Sequence, residues 1–359
     1  MLLQDLKVRN IRNLKQVDIN PAAKINIVYG ANASGKTSLL ESIALLARGK
    51  SFRTHHLGNV MNRESTTFSV TSNIIPYNGH TIGLGIEHRD GQLRMKAEGT
   101  ILKRVSELAS YLPLIAVNQD SLQLFSQGPR MRRRFLDWGM FHVEHNFLTV
   151  WRRYHRALKQ RNALIQQQDT VSANSWDEEL EISAEHLHTL RDHYIQKFSG
   201  IFTQYVSRLF EAELPLSITY ERGWKAGENL SGLLSRSYHK DKALGYTQFG
   251  PHRADLRIEL HRRPVQEVVS RGQQKLLIYA MYLAQASLYR ELKGSTCVIL
   301  ADDACTELDV TRISALMELM ENLDVQIFLT TTELVEAMNK TGADQKLFHV
   351  EHGQVKEVI

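Results

Sequence analysis

The chain has little cysteine: two residues in 359, Cys297 and Cys305. That number excludes a disulfide framework, and a reducing cytoplasm is the expected setting. Long apolar runs are missing too. The longest, Leu276 to Ala284, is too short to span a bilayer. The opening Met-Leu-Leu-Gln-Asp-Leu-Lys brings in charge too early for a signal peptide. No membrane association is expected except through a partner. Internal repeats and low-complexity tracts are also lacking, which excludes solenoids and long disordered tails. The spaced pairs His142/His145 and His349/His352 have no third ligand nearby, so they read as surface residues rather than a metal site.

What is present is ordinary in bulk and specific in detail. Hydrophobic residues make up 43 % and charged residues 23 %, as in soluble globular proteins. The net charge of +5 mildly favours an anionic partner such as nucleic acid. The strongest local signal is Gly30, Ala31, Asn32, Ala33, Ser34, Gly35, Lys36 and Thr37, which fits G-x-x-x-x-G-K-[ST]. Ile25, Ile27 and Val28 supply the strand this loop requires, and Ser38 to Ala47 supplies a helix free of glycine and proline. Backbone N–H groups of such a loop and helix N-terminus cradle phosphates. Lys36 is placed to reach the β- and γ-phosphates of ATP, and Thr37 to offer its hydroxyl to Mg²⁺.

A P-loop needs an acid at the end of a neighbouring apolar strand. Val298-Ile-Leu-Ala-Asp302 meets that need, with Asp302 in the metal shell and Asp303 placed to polarise the attacking water. The two halves of this site lie at opposite ends of the chain, whereas a small GTPase completes its site much sooner. Everything between is therefore an insertion. Residues 1–127 form the first half of the ATPase lobe, with a β-meander over 66–98 that turns at Asp90-Gly91. Residues 128–244 form a helical arm lobe, with a return to strand-like sequence at Leu216-Ser-Ile-Thr-Tyr220. Leu148, Trp151, Leu158 and Ile165 mark one helix face, and Leu187, Leu190, Tyr194, Phe198, Ile201, Tyr205 and Leu209 mark a second, so the two helices predict a short antiparallel arm. Arg130, Arg132–Arg134, Arg152, Arg153, Arg156, Lys159 and Arg161 either grip phosphates or form a solvated face. Lys50-Ser-Phe-Arg53 is either a basic segment beside the phosphates or a solvated turn. Residues 245–359 complete the lobe, with strands near Leu256–Leu260, Cys297–Ala301 and Val325–Thr331, the last followed by a helix, and a closing hairpin.

Ser270-Arg-Gly272-Gln273 opens a helix shortly before the acidic strand. This order resembles the ABC-type signature turn, which completes the nucleotide site of a second subunit. Thr306-Glu-Leu-Asp309 then occupies the D-loop position, and Gln119 lies near that of a Q-loop glutamine.

With Asn10-Ile-Arg-Asn-Leu14, Gly128-Pro-Arg-Met-Arg-Arg-Arg-Phe-Leu-Asp137 and Gly250-Pro-His-Arg-Ala-Asp-Leu256, these motifs run nearly end to end. In that order they resemble the RecF family, recombination-mediator ATPases related to the SMC and ABC heads. The resemblance implies an α/β, ABC-type P-loop ATPase head with a short helical insertion lobe. It also implies ATP and Mg²⁺ as cofactors, a weak ATPase and an ATP-dependent homodimer. DNA, whether single-stranded, double-stranded or gapped, would be bound in repair and replication, with RecR and RecO as partners and RecA as an indirect one. Two positions depart from the ABC pattern. Asp303 stands where glutamate is usual, and Thr330-Thr331-Thr332 stands where a switch histidine is expected. Slow hydrolysis is the expectation. The alternative is an ABC-type subunit that energises a transporter.

Overall fold

The structure, a computed structural model, describes residues 1–76, 79–210, 214–338 and 344–358. The chain divides into two compact units, residues 1–122 with 271–359, and residues 123–270.

The first unit carries two sheets. Its six-stranded sheet runs in the order Gln354–Glu357, Gln345–Glu351, Ile25–Tyr29, Gln326–Thr331, Val298–Ala301, Leu114–Val117. All neighbours are parallel except the closing hairpin. Parallel strands covered on both faces read as continuous apolar runs, and every residue of Val298–Ala301 and Gln326–Thr331 is buried. The second sheet is an antiparallel meander built on Leu14–Ile19, Leu6–Ile11, Thr67–Ile75, Ile82–Arg89, Gln92–Ala97 and Thr100–Leu102. Its alternation is the expected one: Phe68, Val70 and Ile74, then Leu84 and Ile86, face inward. Asp90 and Gly91 both take positive φ, 52° and 74°, as a two-residue hairpin turn demands.

The helix Lys36–Arg48 lies in one core with residues of both sheets. Leu39, Leu40, Ile43 and Leu46 are fully buried among Val8, Val70, Val298, Phe328 and Phe348. Burying each such side chain contributes about 1.5–3 kcal/mol, so the P-loop rests on a helix anchored along its length. After Gln326–Thr331 the expected helix is only a short 3-10 turn, Glu336–Met338, and residues 339–343 lie outside the described residues.

The second unit contains the helices Pro129–Val143, Phe147–Gln166, Asp177–Leu209 and Leu230–Leu244. It also holds a small antiparallel sheet of Leu216–Glu221, Asp255–Leu260 and Arg263–Pro264. The expected boundaries at 127/128 and 244/245 differ from this division. Asp255–Leu260 pairs along its length with Leu216–Glu221, and Arg191 donates to the Pro251 carbonyl at 3.0 Å. Those bonds keep residues 245–270 with the helices.

The helix Phe147–Gln166 buries Phe147, Val150, Tyr154, Ala157, Leu158, Arg161 and Ile165, while Leu148 and Trp151 are half-buried. Leu158 and Ile165 face inward as expected, and the buried face also takes in Arg161. This arginine is fully buried and holds Asp177 Oδ1 at 2.7 Å, Asp241 Oδ2 at 2.7 Å and Thr247 Oγ1 at 2.9 Å. A buried cation is tolerated only when its charge and donors are matched in this way. Arg132 is likewise committed to Asp255 at 2.6 and 3.0 Å, Arg133 to the Ala254 carbonyl at 2.7 Å and Arg153 to Glu179. Arg132, Arg133 and Arg161 are structural, whereas Arg153 pairs with Glu179 at the surface. Arg130, Arg134, Arg152, Arg156 and Lys159 remain on the surface.

Candidate functional site

The strand Ile25–Tyr29 delivers the loop at Gly30. Gly30 has φ +150°, and a Cβ there would sit 2.2 Å from the Val350 carbonyl oxygen. Only glycine lets the loop pass this close to the neighbouring strand. Ser34 O accepts from Asn13 Nδ2 at 2.8 Å and from the Gly353 N–H at 2.9 Å. Ser38 Oγ in turn donates to Asn13 Oδ1 at 3.2 Å. Two turns from opposite ends of the chain therefore brace one carbonyl of the loop.

Lys36 Nζ donates to Gly30 O at 2.8 Å and Ala31 O at 2.9 Å. Burial lowers its pKa, and Asp303 and Asp302 oppose that shift. The Ser34 hydroxyl is buried and has no hydrogen-bond partner among the described residues. An ammonium held by two carbonyls, beside an unpaired hydroxyl in a loop with no room for a Cβ, fits a phosphate chain.

Thr37 Oγ1 lies 3.0 Å from Asp302 Oδ1, across 265 residues of sequence. Asp302 thereby lies just past the end of its strand, beside the Thr37 hydroxyl. Burial raises its pKa, whereas the hydrogen bonds from Thr330 and Thr37 favour its charged form. Among the described residues no group of three or more His, Cys, Asp or Glu could hold a metal ion. Thr37 and Asp302 offer two oxygens, which suits Mg²⁺, an ion that keeps waters and takes phosphate oxygens. His142 packs on Trp138 at 4.5 Å and His349 on Tyr29 at 5.0 Å, so both make aromatic contacts.

Asp303 has φ +51°, unusual for a residue with a side chain. Its N–H donates to Thr330 Oγ1 at 2.8 Å, and its carbonyl accepts from Lys275 Nζ at 2.7 Å. Lys275 also holds the Thr306 carbonyl at 2.7 Å. Asp302, Asp303, Lys275, Tyr279 and Gln119 line one cleft of about 270 Å³. Gln119 thus shares a cavity with both acids. Gly272 lies against the Glu307 carbonyl, where an added Cβ would be 3.0 Å away. Gly272 and the 306–309 segment are therefore neighbours within one chain. Ser270 immediately precedes the helix Arg271–Lys293 and Gln273 lies in its first turn.

Sequence reasoning missed four contributors. Lys275 looked like one more polar residue on a helix. Gly353 carried only a turn signal. Glu41, fully buried inside the P-loop helix, holds Arg12 at 2.9 and 3.0 Å, binds Ser51 and lies 3.8 Å from Arg53. A lone acid within an apolar helical run was the available signal. Thr330 registered only as a missing histidine.

A family model described as the RecF/RecN/SMC N terminal domain matches residues 2–356. The chain is 37 % identical over 362 residues to the DNA replication and repair protein RecF of Cellvibrio japonicus (strain Ueda107), covering 99 % of each chain. It is 38 % identical to the protein of that name from Stutzerimonas stutzeri (strain A1501), covering 100 % of this chain and 98 % of the relative. A solved structure of the recombination mediator protein RecF-ATP in the RecFOR pathway superposes with a TM-score of 0.86 at 24 % identity, covering 100 % and 98 %. An SmcHead bound to the C-winged helix domain of ScpA gives 0.61 at 14 % identity, covering 100 % and 98 %. The fold is thus that of RecF and SMC heads, as expected.

Proposed function

Since the chain belongs to the RecF family within the RecF/RecN/SMC proteins, we propose that it is an ATP-gated DNA-binding protein of recombinational repair and replication. The observation that carries this reading is the Thr37–Asp302 contact at 3.0 Å, which joins the P-loop to its acid. A structure of a similar RecF with ATP supports the nucleotide assignment.

In this reading Gly30 to Thr37 wrap the triphosphate, and Lys36 exchanges its two carbonyl partners for phosphate oxygens. Thr37 and Asp302 would hold Mg²⁺, which would neutralise phosphate charge when bound. Asp303 orients and polarises water for slow hydrolysis. Ser270, Gly272 and Gln273 complete the site of a second copy, so that ATP clamps two heads together around DNA. RecR with RecO recruits the dimer to gaps and helps load RecA, which feeds SOS induction. A cytoplasmic location follows from that role. The transporter-subunit reading gains no support, because the matching family is RecF/RecN/SMC.

The test is DNA affinity for single-stranded, double-stranded and gapped oligonucleotides, with and without a non-cleavable ATP analogue, at two salt concentrations. The reading expects ATP-dependent binding that weakens with salt, and a dimer in ultracentrifugation that Ser270→Arg abolishes while ATP binding persists. Asp303→Asn should prolong the DNA-bound dimer. A monomer that retains no DNA when saturated with analogue refutes the reading.

A further inference from the structure

The two acids share one support. Thr330 is fully buried at the end of the strand Gln326–Thr331, which lies between the P-loop strand and the acid strand. Its hydroxyl accepts from the Asp303 N–H at 2.8 Å and donates to Asp302 Oδ1 at 2.8 Å. Its carbonyl accepts from the Ala304 N–H at 3.0 Å. A hydroxyl has one proton to give, and here it goes to Asp302. One of its two lone pairs receives the N–H of Asp303. One oxygen therefore touches both the carboxylate of Asp302 and the backbone of Asp303.

Direction matters in this chain of bonds. It runs from the Asp303 amide through the threonine oxygen to the Asp302 carboxylate, so each donor polarises the next. Asp302 Oδ1 has a second donor in Thr37 Oγ1 at 3.0 Å. A bound metal would engage Thr37, and Thr330 would then be the hydroxyl still orienting Asp302. The same hydroxyl helps to hold Asp303 in its left-handed conformation, φ +51°, which is uncommon for a residue with a Cβ. Groups behind a metal ligand fix its orientation and tune its affinity.

We propose that Thr330 is the positioning residue of this nucleotide site, its hydroxyl aligning Asp302 for the metal and Asp303 for water. Where an ABC head is expected to place a switch histidine over the nucleotide, this chain uses a threonine one layer back, behind the acids. The inference rests on the nucleotide reading above and adds to it a dependence on one hydroxyl.

Thr330→Val keeps the shape and removes the hydroxyl; Thr330→Ser keeps the hydroxyl. Three readouts separate positioning from mere packing. The first is hydrogen exchange at the Asp303 amide in nucleotide-free protein, which should be at least about tenfold faster in Thr330→Val, because its acceptor is gone. The second is the Mg²⁺ concentration for half-maximal binding of a fluorescent ATP analogue, which should rise about 10–100-fold. The third is analogue affinity without Mg²⁺, which should stay within about twofold, since the P-loop itself is untouched. Thr330→Ser should match the wild type in all three. If Thr330→Val melts below the assay temperature, Thr330→Cys, a weak donor of similar size, should show the same losses.

A hydroxyl-free variant with wild-type exchange and Mg²⁺ dependence overturns the proposal, and so does a serine variant as impaired as valine. A wild type that binds no analogue at all refutes the nucleotide reading, and this inference falls with it. Those two failures are distinguished by the wild-type titration alone.

Discussion

Gly353→Ala tests how the closing hairpin holds the P-loop. Gly353 has φ +78°, and a Cβ there would lie 2.1 Å from the Asn13 carbonyl oxygen and 2.9 Å from its carbonyl carbon. Its N–H also supports the Ser34 carbonyl at 2.9 Å, beside the Asn13 side chain. Gly91 supplies the control. It has nearly the same φ, +74°, with nothing within 4 Å of an added Cβ. The left-handed backbone costs alanine about 1 kcal/mol at either position. At Gly353 the hairpin or the Asn13 turn must also shift, which adds about 1–3 kcal/mol of overpacking. Loss of the Ser34 bond adds about 1 kcal/mol. The expected destabilisation is about 3–5 kcal/mol for Gly353→Ala, against about 1 kcal/mol for Gly91→Ala. For a unit of this size that is a melting shift of about 6–20 °C against about 2–4 °C. A loop displaced by about 1 Å should also lose at least tenfold in ATP affinity, while Gly91→Ala should not. Calorimetry and a nucleotide titration on the two variants decide the matter. Equal melting shifts with unchanged affinity for both would refute the idea that the hairpin presses on the P-loop support.

Lys275→Met removes two bonds to the 303 and 306 carbonyls. Each such bond from a charged donor is worth about 1.5–3 kcal/mol, partly offset because the buried ammonium is itself desolvated. ATP turnover should fall at least tenfold with a smaller change in melting temperature, and a variant with wild-type turnover would remove Lys275 from the site. Arg161→Met strands Asp177 and Asp241 as buried carboxylates and should cost about 3–5 kcal/mol in denaturant unfolding. A loss under 1 kcal/mol would mean that water reaches them. His252 receives the Tyr154 hydroxyl at Nδ1, 2.6 Å away, and donates from Nε2 to the Thr247 carbonyl at 2.9 Å. Burial pushes its pKa down to about 4, from an ordinary value of 6.5. The unfolded chain therefore binds the proton more readily, so stability is complete above pH 6.5 and falls as pH drops toward 4. The decline is up to about 3 kcal/mol. His252→Gln should flatten that acid limb in thermal melts; an unchanged limb would assign it to other groups.

Much of the site was legible because its chemistry is local. Gly30, Gly35, Lys36 and Thr37 announce a phosphate loop by residue type and spacing, and a strand that ends in Asp302 announces its acid. The meander was legible for a similar reason, since alternation with period two fixes which side chains face inward. The place of Arg161 on the inward face of the helix Phe147–Gln166 was not, because a buried arginine reads as surface until its two aspartates are seen. Those partners come from elsewhere in the chain, at 177 and 241.

The sequence by itself determined that a P-loop motif, an apolar strand ending in acid and a helical insertion belong to one α/β head. Glycine geometry, strand hydrophobicity and charge are properties of short segments. Only the tertiary structure decided what braces that loop and those acids. Asn13, Lys275, Thr330 and Gly353 act through hydrogen bonds and close approaches between segments far apart in the chain. No local pattern encodes a distance of that kind; it exists only once the sheet has brought the segments together.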